Sequence, residues 1–268
     1  MDTVVFILDG SLRNISIAAL YDEEQQEFLV QKDYTVTLVP SVQLLKIYRE
    51  FNAASANVLV AGIKKGRKFG EPNWSELQIQ FFKDFLPKNF PDYKILFDSK
   101  EFYEPFYKKY FIDAIKSYYS LIHLATHGEF NSNPKDTFII TDDKGEEKNS
   151  YSININEFGE IFQTRGQNQA IELLFLSSCR TADGDKRAVL GIAGIAVKFA
   201  TSSTIAPLWY ADQLSSISLV EEFYKQLVKN KGVSKAEALK LAQKSLLESG
   251  EFDKSTPHHW APFVLVGY

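Results

Sequence analysis

The 268-residue sequence contains one cysteine. A single cysteine can form neither a disulfide within the chain nor the cysteine-rich ligand set of a zinc site. Its scarcity is normal for a protein of a reducing compartment. The N-terminal segment MDTVVFILDG carries acidic residues where a signal peptide needs a basic flank. Together these features predict a cytoplasmic protein.

Long apolar runs and an excess of one charge are also missing. No segment approaches the ~18 consecutive apolar residues that a membrane-spanning helix requires. The 34 acidic and 30 basic residues leave a net charge of -4, so no overall field attracts nucleic acid or an anionic membrane. We therefore expect neither as a partner. What the chain does have is 45% hydrophobic residues, enough for a sizeable core at this length.

The apolar residues fall into two alternating patterns. Short runs rich in β-branched and aromatic residues predict strands at 4–9, 34–39, 56–63, 93–98, 120–127, 171–179, 203–209 and 260–268. Helical spacing marks the segments 41–51, 76–86, 104–119, 155–163, 190–200, 216–229 and 234–249. Strands that are apolar on both sides and separated by helices predict an α/β fold, a three-layer αβα sandwich with a mostly parallel sheet. We expect residues 260–267 to add a strand near the periphery of that sheet.

Two reactive side chains close predicted strands. Cys179 ends the strand at 171–179, and His127 ends the strand at 120–127, with Gly128 directly behind it. The carboxyl ends of parallel strands meet at one edge of a sheet, so both side chains should reach the same edge. Cysteine acyl-transfer chemistry requires a thiol as the nucleophile and, within its reach, an imidazole as the base.

Several segments, in order along the chain, resemble one known family. They include IHLATHGEF, LLFLSSCRTA, LGIAGIAVKFATSSTIAPLW and PHHWAPFVLVGY. These segments resemble the CHAT family of caspase-like cysteine peptidases, which are related to separase. Cys179 follows His127 by 52 residues, close to the separation of about 50 between histidine and cysteine in caspases. The resemblance covers nearly the whole chain.

The resemblance implies a caspase-like fold and a role for each matched residue. His127 would be the general acid and base, and Cys179 the nucleophile. The backbone N–H groups of Gly128 and Cys179 would form the oxyanion hole. The implied activity is that of a cysteine endopeptidase without a cofactor, which performs limited proteolysis of a protein substrate in a regulatory, death or defence pathway.

The same resemblance suggests how the chain is divided and controlled. Residues 1–100 would be the N-terminal part of the domain, a pseudo-caspase half, and residues 101–268 the caspase-like catalytic part. Members of the family commonly carry helical repeats that control the peptidase. A regulatory repeat domain or partner chain is therefore a second implied partner, besides the protein substrate.

The predicted substrate pocket departs from the family pattern. In relatives that cleave after basic residues, a tryptophan at a strand end is followed four positions later by an aspartate that meets the P1 side chain. Counting from Trp209 gives Gln213, and Asp212 lies one position earlier. If Asp212 lines the pocket, P1 is basic. If Gln213 does, P1 is neutral, and this is the outcome we expect.

Other interpretations remain open. A catalytically silent caspase-fold interaction module is the alternative function: the altered tryptophan strand end favours it, whereas the intact His127 and Cys179 oppose it. His123 lies on the same strand as His127 but deeper, which favours a hydrogen-bonded core histidine. The pair His258–His259 lacks the carboxylates and spacing of a zinc site, which favours a structural role.

Overall fold

The computed structural model describes residues 2–44, 51–63, 73–98, 104–130, 137–142, 151–163, 171–177, 180–181, 201–209, 211–229 and 232–267. The helix predicted at 190–200, most of the one predicted at 41–51 and the boundary near residue 100 lie outside these ranges.

The described strands and helices follow the predicted alternation. The strands are β1 Asp2–Phe6, β2 Tyr21–Asp22, β3 Glu27–Phe28, β4 Tyr34–Leu38, β5 Asn57–Gly62, β6 Asp92–Leu96, β7 Leu121–Ala125, β8 Gly128–Phe130, β9 Phe138–Ile140, β10 Ser152–Asn154, β11 Leu173–Leu176, β12 Arg180–Thr181, β13 Ser203–Pro207 and β14 Phe263–Gly267. The α-helices are α1 Asn73–Asn89, α2 Lys108–Lys116, α3 Ile155–Gln163, α4 Gln213–Lys229 and α5 Lys235–Ser249. Short 3-10 helices lie at Gly10–Asn14, Ile17–Ala19, Leu29–Gln31, Val42–Leu44 and Ala53–Ser55.

Eight strands form the central sheet, in the order β1-β4-β14-β13-β11-β7-β5-β6. Each of the eight predicted strands contributes one of them. Neighbours are parallel except for β13 and β14, which are antiparallel. The sheet therefore consists of two parallel blocks that run in opposite directions, and the prediction of a mostly parallel α/β sheet is confirmed.

The expectation of a peripheral C-terminal strand is wrong. β14 lies between β4 and β13, inside the sheet. All five of its residues are buried, as is typical of a strand with neighbours on both edges. The apolar run VLV does not distinguish an interior strand from an edge strand, because strand order depends on pairing between distant segments.

Helices cover both faces of the sheet. On β11, Leu174 packs with the core that α2 and α3 complete, whereas Leu173 and Phe175 pack with the core of α1, α4 and α5. Successive strand residues point to opposite faces, so strands covered on both sides are apolar at every position. This produces the three-layer αβα sandwich.

A second, smaller sheet follows the carboxyl ends of β7 and β11, two interior strands of the main sheet. Its order is β10-β9-β8-β12, and β8 begins three residues after β7 ends. Its strands have two or three residues each, too short for the sequence pattern to predict them.

Both helices that follow β13 begin with side-chain caps. The Ser234 hydroxyl accepts a hydrogen bond from the Glu237 N–H at 3.0 Å, as is typical of a serine three residues before a glutamate at a helix start. The Asp212 carboxylate accepts one from the Ser215 N–H at 2.9 Å. None of the helices described above is long and apolar enough to cross a bilayer.

Candidate functional site

The backbone around His127 is held on both sides. Two residues before it, the Ala125 carbonyl accepts hydrogen bonds from the Ser75 hydroxyl at 2.9 Å and the Ile63 N–H at 3.2 Å. The carbonyl of His127 itself accepts the Ile140 N–H at 2.9 Å. α1 and the small sheet thus fix the turn that carries the imidazole beyond the carboxyl end of β7.

An aromatic side chain orients the imidazole. The rings of Trp74 and His127 meet edge to face, with centroids 5.7 Å apart and an interplanar angle of 77°. Trp74 is buried at the start of α1, and the Nε2 atom of His127 is shielded from solvent. Sequence reasoning missed Trp74. The available signal was its position, because a helix that follows a parallel strand starts at the edge where the strands end.

Cys179 lies outside the described residues. The segments on either side of it pair with the segments on either side of His127. Before it, the Ser177 N–H donates to the Leu124 carbonyl at 3.0 Å. After it, Arg180 is paired with Glu129 in the parallel ladder between β12 and β8. Ser177 and Arg180, which precede and follow residues 178 and 179, therefore pair with Leu124 and Glu129, which precede and follow His127.

Gly128 is the described member of the predicted oxyanion pair. It begins β8, opposite Ile139 of β9, and it is buried. The other predicted donor is the backbone N–H of Cys179.

The three predicted substrate-binding residues lie in one stretch beyond β13, the neighbour of β11. Trp209 is half-buried, packs against the α2–α3 side of the core, and its Nε1 has no hydrogen-bond partner among the described residues. Gln213 is exposed at the first position of α4. Asp212 precedes it as the capping residue.

The Asp212 carboxylate is already engaged within the fold. Burial acts to raise its pKa, but hydrogen bonds from Ser215 and the nearby His259 outweigh burial and hold the pKa of Asp212 below its ordinary value. The His259 Nδ1 lies 4.0 Å from Asp212 Oδ1, and the His259 ring stacks on Phe252.

A buried polar network lies beneath the candidate site. The Gln78 Oε1 accepts hydrogen bonds from the Ser177 hydroxyl at 2.8 Å and from His123 Nε2 at 3.1 Å, which leaves His123 Nδ1 to accept from the Tyr224 hydroxyl at 3.2 Å. Burial lowers the pKa of His123 to about 3. The prediction of a hydrogen-bonded core histidine is confirmed, and the network also anchors Ser177, two residues before Cys179.

Within the described part of the chain, no three histidine, cysteine or carboxylate side chains are grouped as metal ligands would be. The His259 ring stacks on Phe252 and lies near Asp212 and His258.

Comparison with known proteins gives a family and a fold. The CHAT domain model matches residues 1–268. No curated protein matches the sequence at a significant level. Solved structures with a similar fold include the Arg-specific cysteine proteinase gingipain R (TM-score 0.55, 10% identity) and the Saccharomyces cerevisiae separase–securin complex (TM-score 0.55, 11% identity). The complex of the Porphyromonas gingivalis RgpB pro- and mature domains is also similar (TM-score 0.53, 11% identity).

These likenesses cover most of this chain and part of the others. They cover 89% of this chain against gingipain R, 91% against separase and 89% against the RgpB complex. The chain spans 55% of the gingipain R chain, 14% of the separase chain and 56% of the RgpB chain. At these identities the likeness establishes a caspase-like fold.

Proposed function

The chain belongs to the CHAT domain family, and from this membership and the site geometry we propose that it is a cysteine endopeptidase that performs limited proteolysis of a protein partner. Cys179 is the nucleophile and His127 the general acid and base. The observation that carries the proposal is the pairing of the segments around residue 179 with those around His127. Only Ser178 and Cys179 join the two paired segments, so this register supports a thiol beside the imidazole.

The fold supplies the setting for this chemistry. β7 and β11 are adjacent and parallel, so the side chains beyond their carboxyl ends share one edge of the sheet. Trp74 covers one side of the His127 ring, and Ser75 fixes the turn before it. An imidazole held in one orientation can serve the thiol and the leaving amine in turn.

The proposed reaction has two stages. The Cys179 thiolate attacks the scissile carbonyl, and the backbone N–H groups of Gly128 and Cys179 stabilise the oxyanion that develops. Protonated His127 then gives its proton to the departing amine. In the second stage His127 takes a proton from water, which hydrolyses the thioester and regenerates the thiol. The dyad needs no metal or cofactor for either stage.

The proposed substrate pocket is uncharged at P1. The Asp212 carboxylate caps α4 and lies near His259. This engagement supports Gln213 rather than Asp212 as the residue near P1. Trp209 would form the apolar wall of the pocket. The partners in this proposal are a protein substrate and a regulatory repeat domain or partner chain, in the cytoplasm.

An unbiased peptide-library cleavage assay tests the proposal. Wild type, Cys179→Ala and His127→Ala are compared, with His258→Ala as a matched histidine control outside the site. We expect cleavage by wild type and His258→Ala and none by the other two. Covalent labelling by a peptidyl electrophile is the second readout. A wild type that neither cleaves peptides nor becomes labelled is the silent interaction module, and the proposal fails.

A further inference from the structure

A groove of about 690 Å³ lies between α1 and α4. We call it the α1–α4 groove. Its apolar lining is Leu77, Phe81 and Phe85 of α1, Leu214 and Ile217 of α4, and Phe252 beyond α5. Phe81 and Phe85 stack on each other with centroids 4.8 Å apart.

Two leucines of the apolar lining are open to solvent. Leu214 is 66% exposed and Leu77 is 51% exposed, although another stripe of α1, which includes Phe82, is fully buried in the core. α1 therefore carries a second apolar stripe, in which Phe81 and Phe85 are partly buried against the core and Leu77 is exposed. Contiguous exposed apolar surface on a folded protein marks an interaction site more often than scattered single residues do.

Buried side chains connect the wall of the groove to the candidate site. Ile217 lines the groove and also packs with Trp74 and Ala125. Trp74 contacts His127. Two side chains, Ile217 and Trp74, thus separate the groove from the imidazole. This short separation lets a bound protein whose scissile bond reaches His127 also reach the groove.

The charged lining of the groove is mainly acidic. Asp84, Glu221 and Glu251 contribute carboxylates, and Lys88 contributes one positive charge. Lys225 pairs with Glu221 at 3.2 Å and lies 5.9 Å from the Phe81 ring, so three carboxylates face two ammonium groups around the groove. An occupant with positive charge at its margins is complementary to this rim.

We propose that the α1–α4 groove is an exosite that holds a short amphipathic helix of the substrate protein, apolar on one face and lined with lysine or arginine at its margins. Two helices offer an extended peptide no strand edge with which to pair its amides, whereas a helix satisfies its own backbone. The stretch from Leu77 to Lys88 is about 16 Å long, which suits a helix of about three turns. This inference rests on the proposed peptidase only for the identity of the occupant as a substrate.

Binding is tested without catalysis in the Cys179→Ala protein. The probe is a fluorescein-labelled peptide of about 14 residues with leucines on one helical face and lysines elsewhere, about 21 Å long as a helix. Two control peptides replace the lysines with glutamates or scramble the leucine positions. Fluorescence anisotropy measures the affinity of each peptide for the protein and for its Leu77→Glu and Leu214→Glu variants. Tyr118→Glu is the matched control. Tyr118 is 45% exposed and lies before the amino end of β7, whereas the candidate site lies beyond its carboxyl end.

We expect the basic amphipathic peptide to bind, and each leucine substitution to weaken it about tenfold or more, because a buried leucine contributes more than the free energy of one decade in affinity. Tyr118→Glu should bind like the parent. The inference is overturned if no peptide binds, if the scrambled or acidic peptide binds as well as the basic one, or if the groove variants bind normally. A dimer in sedimentation equilibrium that Leu214→Glu abolishes would assign the groove to a second copy and also overturn it.

A second arm separates this inference from the proposed function. A cleavable library peptide is joined by a flexible linker to the basic helix, at either end in separate substrates. We expect a higher kcat/KM for at least one joined substrate in wild type, and equal values for joined and unjoined substrates in Leu214→Glu. Helix binding without any cleavage by wild type would refute the peptidase and leave a binding groove. Cleavage that the joined helix never improves would refute the exosite and leave the peptidase.

Discussion

Trp74 and His127 meet edge to face, with ring centroids 5.7 Å apart. Because this contact orients the imidazole, we expect Trp74→Ala to lower kcat by about 10²-fold, the typical cost of a small misplacement of a catalytic group. KM should change little, since Trp74 acts on the imidazole. Trp74→Phe keeps an aromatic ring against the imidazole and is the control. Steady-state kinetics on a library-derived peptide measure both, and an equal loss in the two variants would contradict the orienting role.

The reactivity of Cys179 reports the proposed dyad directly. A neighbouring imidazole favours the thiolate, so iodoacetamide should alkylate Cys179 faster than a peptide thiol near pH 7. His127→Ala should slow the reaction. Mass spectrometry of the single cysteine follows the alkylation rate in each protein. Equal rates in wild type and His127→Ala would contradict the proposed dyad.

His123 should make stability depend on pH. Burial lowers its pKa from 6.5 to about 3, so between these values the unfolded chain binds a proton that the folded protein does not. Protonation of His123 in the unfolded chain therefore lowers the free energy of unfolding as the pH falls below 6.5. The loss reaches about 2 kcal/mol at pH 5. Urea unfolding at pH 7.5 and pH 5 should show a smaller loss for His123→Gln than for wild type. His258→Gln is the control, and identical losses in wild type and His123→Gln would refute the assignment.

Specificity at P1 should be set by position 213 and not by position 212. Asparagine is as good a helix cap as aspartate, so Asp212→Asn should keep α4 and leave the P1 preference unchanged. Gln213→Asp should add cleavage after arginine or lysine, because a carboxylate can pair with either cation. Peptide-library cleavage profiles of both variants measure the P1 preference. A large loss of cleavage after basic residues in Asp212→Asn would show that position 212 sets the specificity.

Two glycines with positive φ should tolerate alanine very differently. At Gly267, with φ of 97°, an added Cβ would lie 2.3 Å from the Ser202 carbonyl oxygen. At Gly250, with φ of 77°, it would have nothing within 4 Å. Both substitutions strain the backbone by about 1 kcal/mol or more, but Gly267→Ala adds a backbone clash and should cost at least about 2 kcal/mol more. Equal free energies of unfolding would show that β14 shifts freely.

The sequence predicts the elements of this fold better than their arrangement. All eight predicted strands are present, although the one predicted at 171–179 is β11, Leu173–Leu176, and residues 178 and 179 lie outside the described part of the chain. The interior position of β14 could not be predicted, since it depends on pairing with β4, more than 200 residues earlier.

For the candidate site, the sequence pattern selected candidate residues and missed those that hold them in place. His127 became a candidate because a histidine and a glycine close an apolar strand, and its catalytic role stays a prediction. Ser75 and Gln78 were missed, since a serine and a glutamine on a helix carry no signal until the tertiary contacts with Ala125 and Ser177 are known. The α1–α4 groove was missed for the same reason: Leu77 looks like a core residue in the helical pattern.

Because β14 comes last in the sequence and pairs with β4, the sheet can be completed only late in synthesis. Thr37 of β4 donates to the carbonyl of Gly267, 230 residues away, and β14 joins β1 and β4 to the rest of the sheet. On the ribosome the first strands therefore emerge without their partner and wait while that stretch is translated, roughly 10 to 50 s at ordinary elongation rates. Until then β1 and β4 can pair with each other, but the edge of β4 that later binds β14 is exposed. An exposed strand edge of this kind favours aggregation and is a site that a chaperone can protect.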